Sequence, residues 1–204
     1  MKVEIRNEQA IIEGYVNVVE RKSKPIRDIR GSFVEKVSPG TFSNALKKNN
    51  NVELRYNHKR KLGDQKDGSL ELREDNVGLY AKAIVSDAEV VKKARNKELR
   101  GWSFGFIKNR DKWDKEGDVE VRELEDIQLT EVSILDINPA YLATTINVRS
   151  DNEEELTEHR ACIATDDDIQ YVEERAVDDD NSQKEEPLNQ KYKDVITELK
   201  GKGE

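Results

Sequence analysis

Short segments of alternating or β-branched apolar residues, separated by turn residues, recur through the first 150 residues of this chain. Alternation with a period of two places successive side chains on opposite faces, which is the pattern of a half-buried strand. The pattern is clearest in residues 2–6, 10–19, 33–37, 52–56 and 79–85. The chain is therefore predicted to be mainly β.

Two short helices interrupt the predicted strands. The first follows Pro39-Gly40 and runs from Thr41, a suitable N-cap, to Lys48. The second begins at the capping box Ser86-Asp87-Ala88-Glu89 and extends to about Leu99. Many short strands with two short helices favour an α+β, mainly β fold, a compact closed β-barrel flanked by short helices, over a parallel α/β fold.

The composition changes near residue 150. The first 150 residues carry 28 Lys+Arg against 25 Asp+Glu, whereas residues 151–204 carry 7 against 18. Acidic clusters without apolar periodicity cannot bury enough surface to offset chain entropy, so the tail is predicted to be largely disordered. Apolar residues at helical spacing within 192–199 predict a short terminal helix. We therefore divide the chain into a barrel domain, 1–150, and an acidic tail, 151–204.

Several function classes find no support in the sequence. The single cysteine, Cys162, excludes an intrachain disulfide and a cysteine metal cage, and is interpreted as an incidental reduced thiol. There is no phosphate-binding glycine loop, no paired-histidine metal motif, no membrane-length apolar run and no signal sequence. The basic segment 21–30 lacks interleaved aromatic residues. We expect a soluble cytoplasmic protein with no cofactor, metal, membrane or nucleic-acid partner.

A histidine follows one predicted strand and a serine lies within another, and the two could form a nucleophile–base pair. His58 follows the strand 52–56, and Ser103 lies in Trp102-Ser103-Phe104-Gly105-Phe106. Serine needs a base to remove its proton, and histidine suits this because its ordinary pKa is close to neutral pH. His159, the other histidine, falls in the acidic tail and is excluded on that ground, which leaves His58 as the base.

A third group is needed to orient the imidazole. Glu131 is a carboxylate within the otherwise apolar strand Leu129 to Ile134, while Glu125 and Asp126 are alternatives at a predicted turn. Ser133 is a competing nucleophile, but neither glycine nor aromatic residues frame it. The residues alone leave these alternatives open.

Five blocks in this order resemble the prohead maturation proteases of tailed phages, which are related to the herpesvirus assembly proteases. The blocks are Phe33 to Phe42, Tyr56-Asn57-His58, Ser103-Phe104-Gly105-Phe106, Leu129-Thr130-Glu131-Val132-Ser133 and Asn138-Pro139-Ala140-Tyr141, and the resemblance covers about residues 10–150. The resemblance implies a compact β-barrel protease with His58 as base, Ser103 as nucleophile and Glu131 in the block of the third member. Lys59 departs from the acidic residue that often follows the histidine in this family.

The resemblance also implies a role and a location. The protein would be a serine endopeptidase inside the phage procapsid, in the host cytoplasm. It would cleave scaffolding protein or the scaffold-like segment of the major capsid protein, and also itself. Those proteins, and further copies of this chain, are the expected partners. The alternative is a catalytically silent assembly or scaffold-like protein that keeps the protease fold and binds capsid subunits.

Overall fold

Strands dominate the computed structural model, which describes residues 1–28, 31–137, 157–163 and 168–173. The mainly β prediction is confirmed. The strands are β1 (Lys2–Arg6), β2 (Gln9–Val18), β3 (Ile26–Asp28), β4 (Gly31–Val37), β5 (Glu53–Tyr56), β6 (Arg60–Asp64), β7 (Leu70–Glu74), β8 (Gly78–Val85), β9 (Gly101–Glu116), β10 (Val119–Leu135), β11 (Thr157–Ile163) and β12 (Gln170–Glu173). The helices are α1 (Thr41–Lys48) and α2 (Ala88–Arg95).

The strands form two open sheets, so the predicted closed barrel is wrong. The first sheet has the order β12-β1-β2-β8-β7. The second has the order β11-β9-β10-β4-β3, and β5 joins it by pairing with both β10 and β6. Both sheets and both helices contribute to one apolar core, with Ile12 and Ala81 from the first sheet and Phe104 and Leu124 from the second. Because the two sheets cover each other's apolar faces, neither has to close on itself.

The first helix is capped one residue earlier than predicted. Gly40 holds the cap position with a φ of 85°, and Thr41 is the first helical residue. Thr41 instead donates a hydrogen bond from Oγ1 to the carbonyl of Leu124 at 3.2 Å. This bond fastens α1 to the second sheet.

The second helix is capped by the residue after the predicted one. The side chain of Asp87, rather than Ser86, accepts hydrogen bonds from the backbone of Glu89 and Val90. The helix ends at Arg95, before the predicted end at Leu99, which is nevertheless fully buried. Neither helix among the described residues is long and apolar enough to cross a membrane.

Two short strands lie in segments where the sequence shows no strand pattern. Ile26–Asp28 forms β3 and Arg60–Asp64 forms β6. Both are edge strands with few buried positions, and so they lack the alternation that makes a strand visible in sequence. β3 pairs with β4 and β6 pairs with β5. This pairing stabilises both segments as strands although their local sequence does not predict it.

Part of the predicted tail belongs to the sheets. β11 pairs antiparallel with β9, and β12 pairs parallel with β1. The compact unit that contains these strands runs from Met1 to Glu174. The sequence Thr145-Ile146-Asn147-Val148 predicts a closing strand, which lies outside the described residues. The remainder of the tail 151–204, with its predicted disorder and terminal helix, also lies outside them.

Candidate active site

The strand β9 separates an apolar face from a polar one. Phe104 and Phe106 are buried, and their rings stack with centroids 5.3 Å apart. Successive side chains of a strand point to opposite faces, so Ser103 and Gly105 share the other face. This alternation places Ser103 on the face opposite the two phenylalanines.

The strands on either side of β9 bring polar residues to that second face. Gly105 lies between Glu131 of β10 and His159 of β11, while Ser103 lies between Ser133 and Ala161. Directly opposed residues of paired strands point to the same face. The polar face therefore carries two adjacent rows, one centred on Gly105 and one on Ser103.

Gly105 leaves the space in which its two neighbours meet. A Cβ atom at this position would lie 2.7 Å from Glu131 Cγ and 3.0 Å from His159 Nδ1. Contacts this short would displace one or both side chains. The requirement for glycine here is therefore steric, and it arises from the carboxylate and imidazole beside it.

A strained turn presents His58 to the polar face. Asn57 and His58 have φ values of 51° and 62°, in the left-handed region that is costly for residues other than glycine. The Asn57 side chain donates to Asp136 at 2.7 Å, and the backbone N–H of His58 donates to Ser133 Oγ at 3.2 Å. The surrounding bonds hold the turn in this conformation. Strain that is held in this way is characteristic of functional sites.

Glu131 is the centre of the polar cluster. Its Oε1 contacts His58 Nδ1 and lies 3.3 Å from His159 Nδ1, and its Oε2 pairs with Arg55 Nε at 3.0 Å. Burial by itself raises the pKa of this carboxyl, but the contacts with His159 and His58 outweigh burial and lower the pKa from 4.5 to about 2. Glu131 is consequently an anion at neutral pH although its side chain is only 4% exposed.

The contact with Glu131 leaves the other ring nitrogen of His58 available. A carboxylate only accepts hydrogen bonds, so it holds the proton on Nδ1 and leaves Nε2 as the basic nitrogen. That Nε2 is buried and has no hydrogen-bond partner among the described residues. A buried acceptor without a partner is costly, and a catalytic role is one explanation for it.

Ser103 is completely buried beneath β11. Its Oγ donates a hydrogen bond to the backbone carbonyl of Arg160 at 2.8 Å, and its exposure is 0%. Ser133, the competing nucleophile, is equally buried and shares the same face. The structure thus brings Ser103, Ser133, His58 and Glu131 together on one side of the second sheet.

The alternative carboxylates bind other partners. Asp126 accepts from Lys48 Nζ at 2.8 Å, and Glu125 pairs with Arg110 Nε at 2.8 Å. Glu131, by contrast, contacts the imidazole directly. The geometry favours Glu131 for the third position, while the catalytic roles of His58, Ser103 and Glu131 stay predictions.

His159 is the residue that sequence reasoning missed. Its ring centroid lies 4.2 Å from that of His58, and its side chain is 13% exposed. Placing it outside the fold was wrong, because β11 adds to the sheet beside β9. The alternation of Thr157, His159 and Ala161 with charged residues was the available signal, but the acidic composition around it obscured this.

The cluster also has the composition of a metal site. One ligand atom each from His58, Glu131 and His159 lies within 4.8 Å of the others. Two imidazoles and a carboxylate are ligands that zinc accepts. Burial raises the pKa of the Cys162 thiol, which weakens it as an alternative nucleophile.

Comparison with known proteins identifies one family. The model of the caudovirus prohead serine proteases matches residues 1–159, which include both histidines, Ser103 and Glu131. No curated protein and no solved structure matches the chain. The matched range ends within β11, nine residues beyond the predicted domain boundary at residue 150.

Proposed function

Since the chain belongs to the caudovirus prohead serine protease family, we propose that it is the active endopeptidase of phage capsid maturation, with Ser103 as nucleophile, His58 as base and Glu131 as the group that orients His58. The observation that carries this assignment is the His58 imidazole. Its Nδ1 contacts Glu131, whereas its Nε2 is buried without a described partner. Nε2 is therefore the nitrogen that would accept a proton from serine.

The proposed chemistry is acyl transfer through serine. His58 Nε2 takes the proton as Ser103 Oγ forms a bond to the scissile carbonyl carbon, and the carbonyl becomes an oxyanion. His58 then gives that proton to the leaving amine nitrogen as the carbon–nitrogen bond breaks. Water hydrolyses the acyl-enzyme by the same route in reverse. Glu131 stabilises the imidazolium formed in each step.

The proposed substrates are those of procapsid assembly. They are scaffolding protein, the scaffold-like segment of the major capsid protein, and the protease itself. The proposed place of action is the procapsid interior in the host cytoplasm. Family membership supports these assignments.

The first experiment is co-expression with the capsid and scaffolding proteins of the same phage. Ser103→Ala should abolish the truncated products, whereas Ser32→Ala, an exposed serine of β4, should leave them unchanged. A processed capsid protein in the Ser103→Ala culture would show that Ser103 is not the nucleophile. Circular dichroism of each purified variant verifies that the fold is intact.

A serine-directed phosphonate probe separates Ser103 from Ser133. Labelling forms a covalent bond only at an activated serine, and peptide mapping by mass spectrometry then locates it. We expect the label on Ser103, with none in a His58→Ala variant. A label on Ser133 would show that Ser133, and not Ser103, is the nucleophile.

The catalytically silent assembly protein is the second candidate, and one observation favours it. Ser103 is fully buried and its hydroxyl is bonded to Arg160, so a substrate cannot reach it with β11 in place. A silent protein would bind capsid subunits equally well before and after Ser103→Ala and would truncate none of them. Truncation that depends on Ser103 rules this candidate out.

A further inference from the structure

The strand that covers Ser103 lies where an extended peptide substrate would bind. β11 is an edge strand of the second sheet and pairs antiparallel with the nucleophile strand β9, from Thr157 opposite Ile107 to Ile163 opposite Gly101. Adding a strand to a sheet edge is a general way to bind an extended peptide, since main-chain bonds give affinity and alternate side chains give specificity.

We propose that β11 occupies the substrate position and that its contacts define the specificity: a basic residue on the acyl side of the cleaved bond and an acidic residue two positions earlier. The proposal rests on the proposed protease function and adds a substrate class to it. The position of the bond follows from Ser103, whose Oγ lies 2.8 Å from the Arg160 carbonyl oxygen. The cleaved bond of a substrate would be the one equivalent to Arg160–Ala161.

The Arg160 side chain lies in a carboxylate pocket on the opposite face of the sheet. Its Nε is 2.7 Å from Glu35 Oε1, and a terminal nitrogen is 2.9 Å from Glu35 Oε2. The guanidinium carbon lies 5.4 Å from the centre of the Phe106 ring, which forms a wall of the pocket. Glu35 is only 4% exposed, and a two-bond grip of this kind selects a planar cation.

Glu158 lies two residues earlier and points to the same face. Its two carboxylate oxygens accept from Arg122 at 2.7 and 2.8 Å. Arg122 is itself buried and held by Asp111 at 2.8 Å and Glu35 at 3.1 Å. Arg122 therefore presents a fixed guanidinium to an acidic side chain at this position.

The charges left behind when β11 departs support the preference for a basic residue at the position of Arg160. Arg160 and Glu158 would leave together, so Arg122 would remain with both Glu35 and Asp111. Asp111 would keep a second cation, Lys108 at 3.3 Å, but Glu35 would be left with Arg122 as its one cation among the described residues, and it would share that cation with Asp111. Buried charges are costly unless they are paired. An incoming basic side chain at the position of Arg160 restores the balance, whereas an acidic one there adds a third carboxylate.

The other β11 residues near the cleaved bond, His159 and Ala161, are compatible with cleavage. His159 and Ala161 face the polar side, where Ala161 lies opposite Ser103. In a substrate, Ser103 Oγ would attack the carbonyl carbon of the basic residue and lose its proton to His58 Nε2. The bond to the next nitrogen would break as that nitrogen takes the proton, and water would then release the new carboxylate. Cleavage of this chain itself by the same step would separate residues 161–204.

Peptide cleavage by the full-length protein tests the specificity. The substrates are internally quenched peptides Thr-Glu-His-Xaa-Ala, with Arg, Lys, Leu or Glu as Xaa. Arg160→Glu repels β11 from Glu35 and should raise kcat/KM for the Arg peptide at least tenfold, and Arg160→Ala should do so with less disturbance of the fold. Both should prefer the Arg peptide over the Leu peptide by at least tenfold.

The role of Glu35 in the pocket is tested against a matched control substitution. In the Arg160→Ala background, Glu35→Gln should reduce the preference for Arg over Leu to below threefold, mainly through a higher KM and with little change in kcat. Glu120→Gln, an exposed glutamate of β10, should leave the preference intact. Equal cleavage of the Arg and Leu peptides, or a preference that survives Glu35→Gln, would overturn the proposal.

Binding to an inactive variant separates this proposal from the protease assignment. Fluorescence anisotropy with labelled peptides and the double variant Ser103→Ala, Arg160→Ala should show at least tenfold tighter binding of the Arg peptide than of the Glu peptide. If the Arg peptide binds selectively but no variant that keeps Ser103 cleaves it, the pocket assignment stands and the hydrolase assignment fails. Binding that is equal or undetectable would overturn the pocket, whatever the cleavage result.

Discussion

Replacing Glu131 with glutamine should greatly reduce catalysis while changing the shape of the site little. The fold lowers the pKa of this carboxyl from 4.5 to about 2, so it favours the carboxylate over the neutral acid by about 3 kcal/mol. Glutamine occupies the same volume without the charge. If the lost interaction is the one that stabilises the His58 imidazolium, kcat/KM should fall by roughly 200-fold.

The activity assay is the rate at which purified protein truncates the capsid or scaffolding protein, followed by gel densitometry. Glu53→Gln is the matched control. Glu53 lies opposite Glu131 in the register of β5 and β10 and pairs with Arg55, but no described contact joins it to His58. We expect the control to remain within threefold of the parent rate.

Acid unfolding supplies a second readout of the same charge. A carboxyl whose pKa is lowered by folding adds stability that is complete above its unfolded value, 4.5, and is lost as the pH falls toward 2. The parent protein should therefore lose about 3 kcal/mol of unfolding free energy through this group over that window, and Glu131→Gln should not. Urea unfolding at about pH 6 and about pH 2.5 measures the difference. The reasoning fails if Glu131→Gln keeps activity within threefold of the parent, or if both proteins lose equal stability in acid.

Three further substitutions have defined consequences. Gly105→Ala places a Cβ 2.7 Å from Glu131 Cγ and should abolish activity through displacement of that side chain, with the crystal structure of the variant showing the shift. Phe104→Ala removes a fully buried ring packed on Phe42 and should lower the unfolding free energy by about 3–5 kcal/mol in urea titrations, with a smaller loss contradicting the packing argument. Asp87→Ala removes the side chain that caps α2 and should cost about 1 kcal/mol in the same assay, whereas Ser86→Ala should cost much less.

Local patterns in the sequence were sufficient for much of the fold. Alternation predicted β1 as residues 2–6, and the strands around Phe33 and Tyr56 appear within a few residues of their predicted bounds. Alternation works because the period of two is a property of the strand itself. It could not show closure, since two open sheets that share a core and one closed sheet have the same local pattern.

Residue chemistry was sufficient for part of the candidate site. His58 and Ser103 were named from their side chains and their positions at predicted strands, and Glu131 from its place in an apolar strand. The choice between Glu131 and the alternatives Glu125 and Asp126 needed contacts, because all three carboxylates are chemically similar. The direct contact of Glu131 with the imidazole is a tertiary fact.

The role of the acidic segment depended entirely on tertiary structure. The sequence by itself predicted most of the strands and identified His58 and Ser103 as candidate residues, since those inferences depend on side-chain chemistry and on neighbours along the chain. The tertiary structure decided that β11 adds to the edge of β9, so that His159 meets Glu131 and Arg160 meets Glu35. Composition predicted that this segment is too charged to fold, but Arg160 pairs with Glu35, 125 positions away, and Glu158 pairs with Arg122, and these ion pairs remove the penalty for burying the charges.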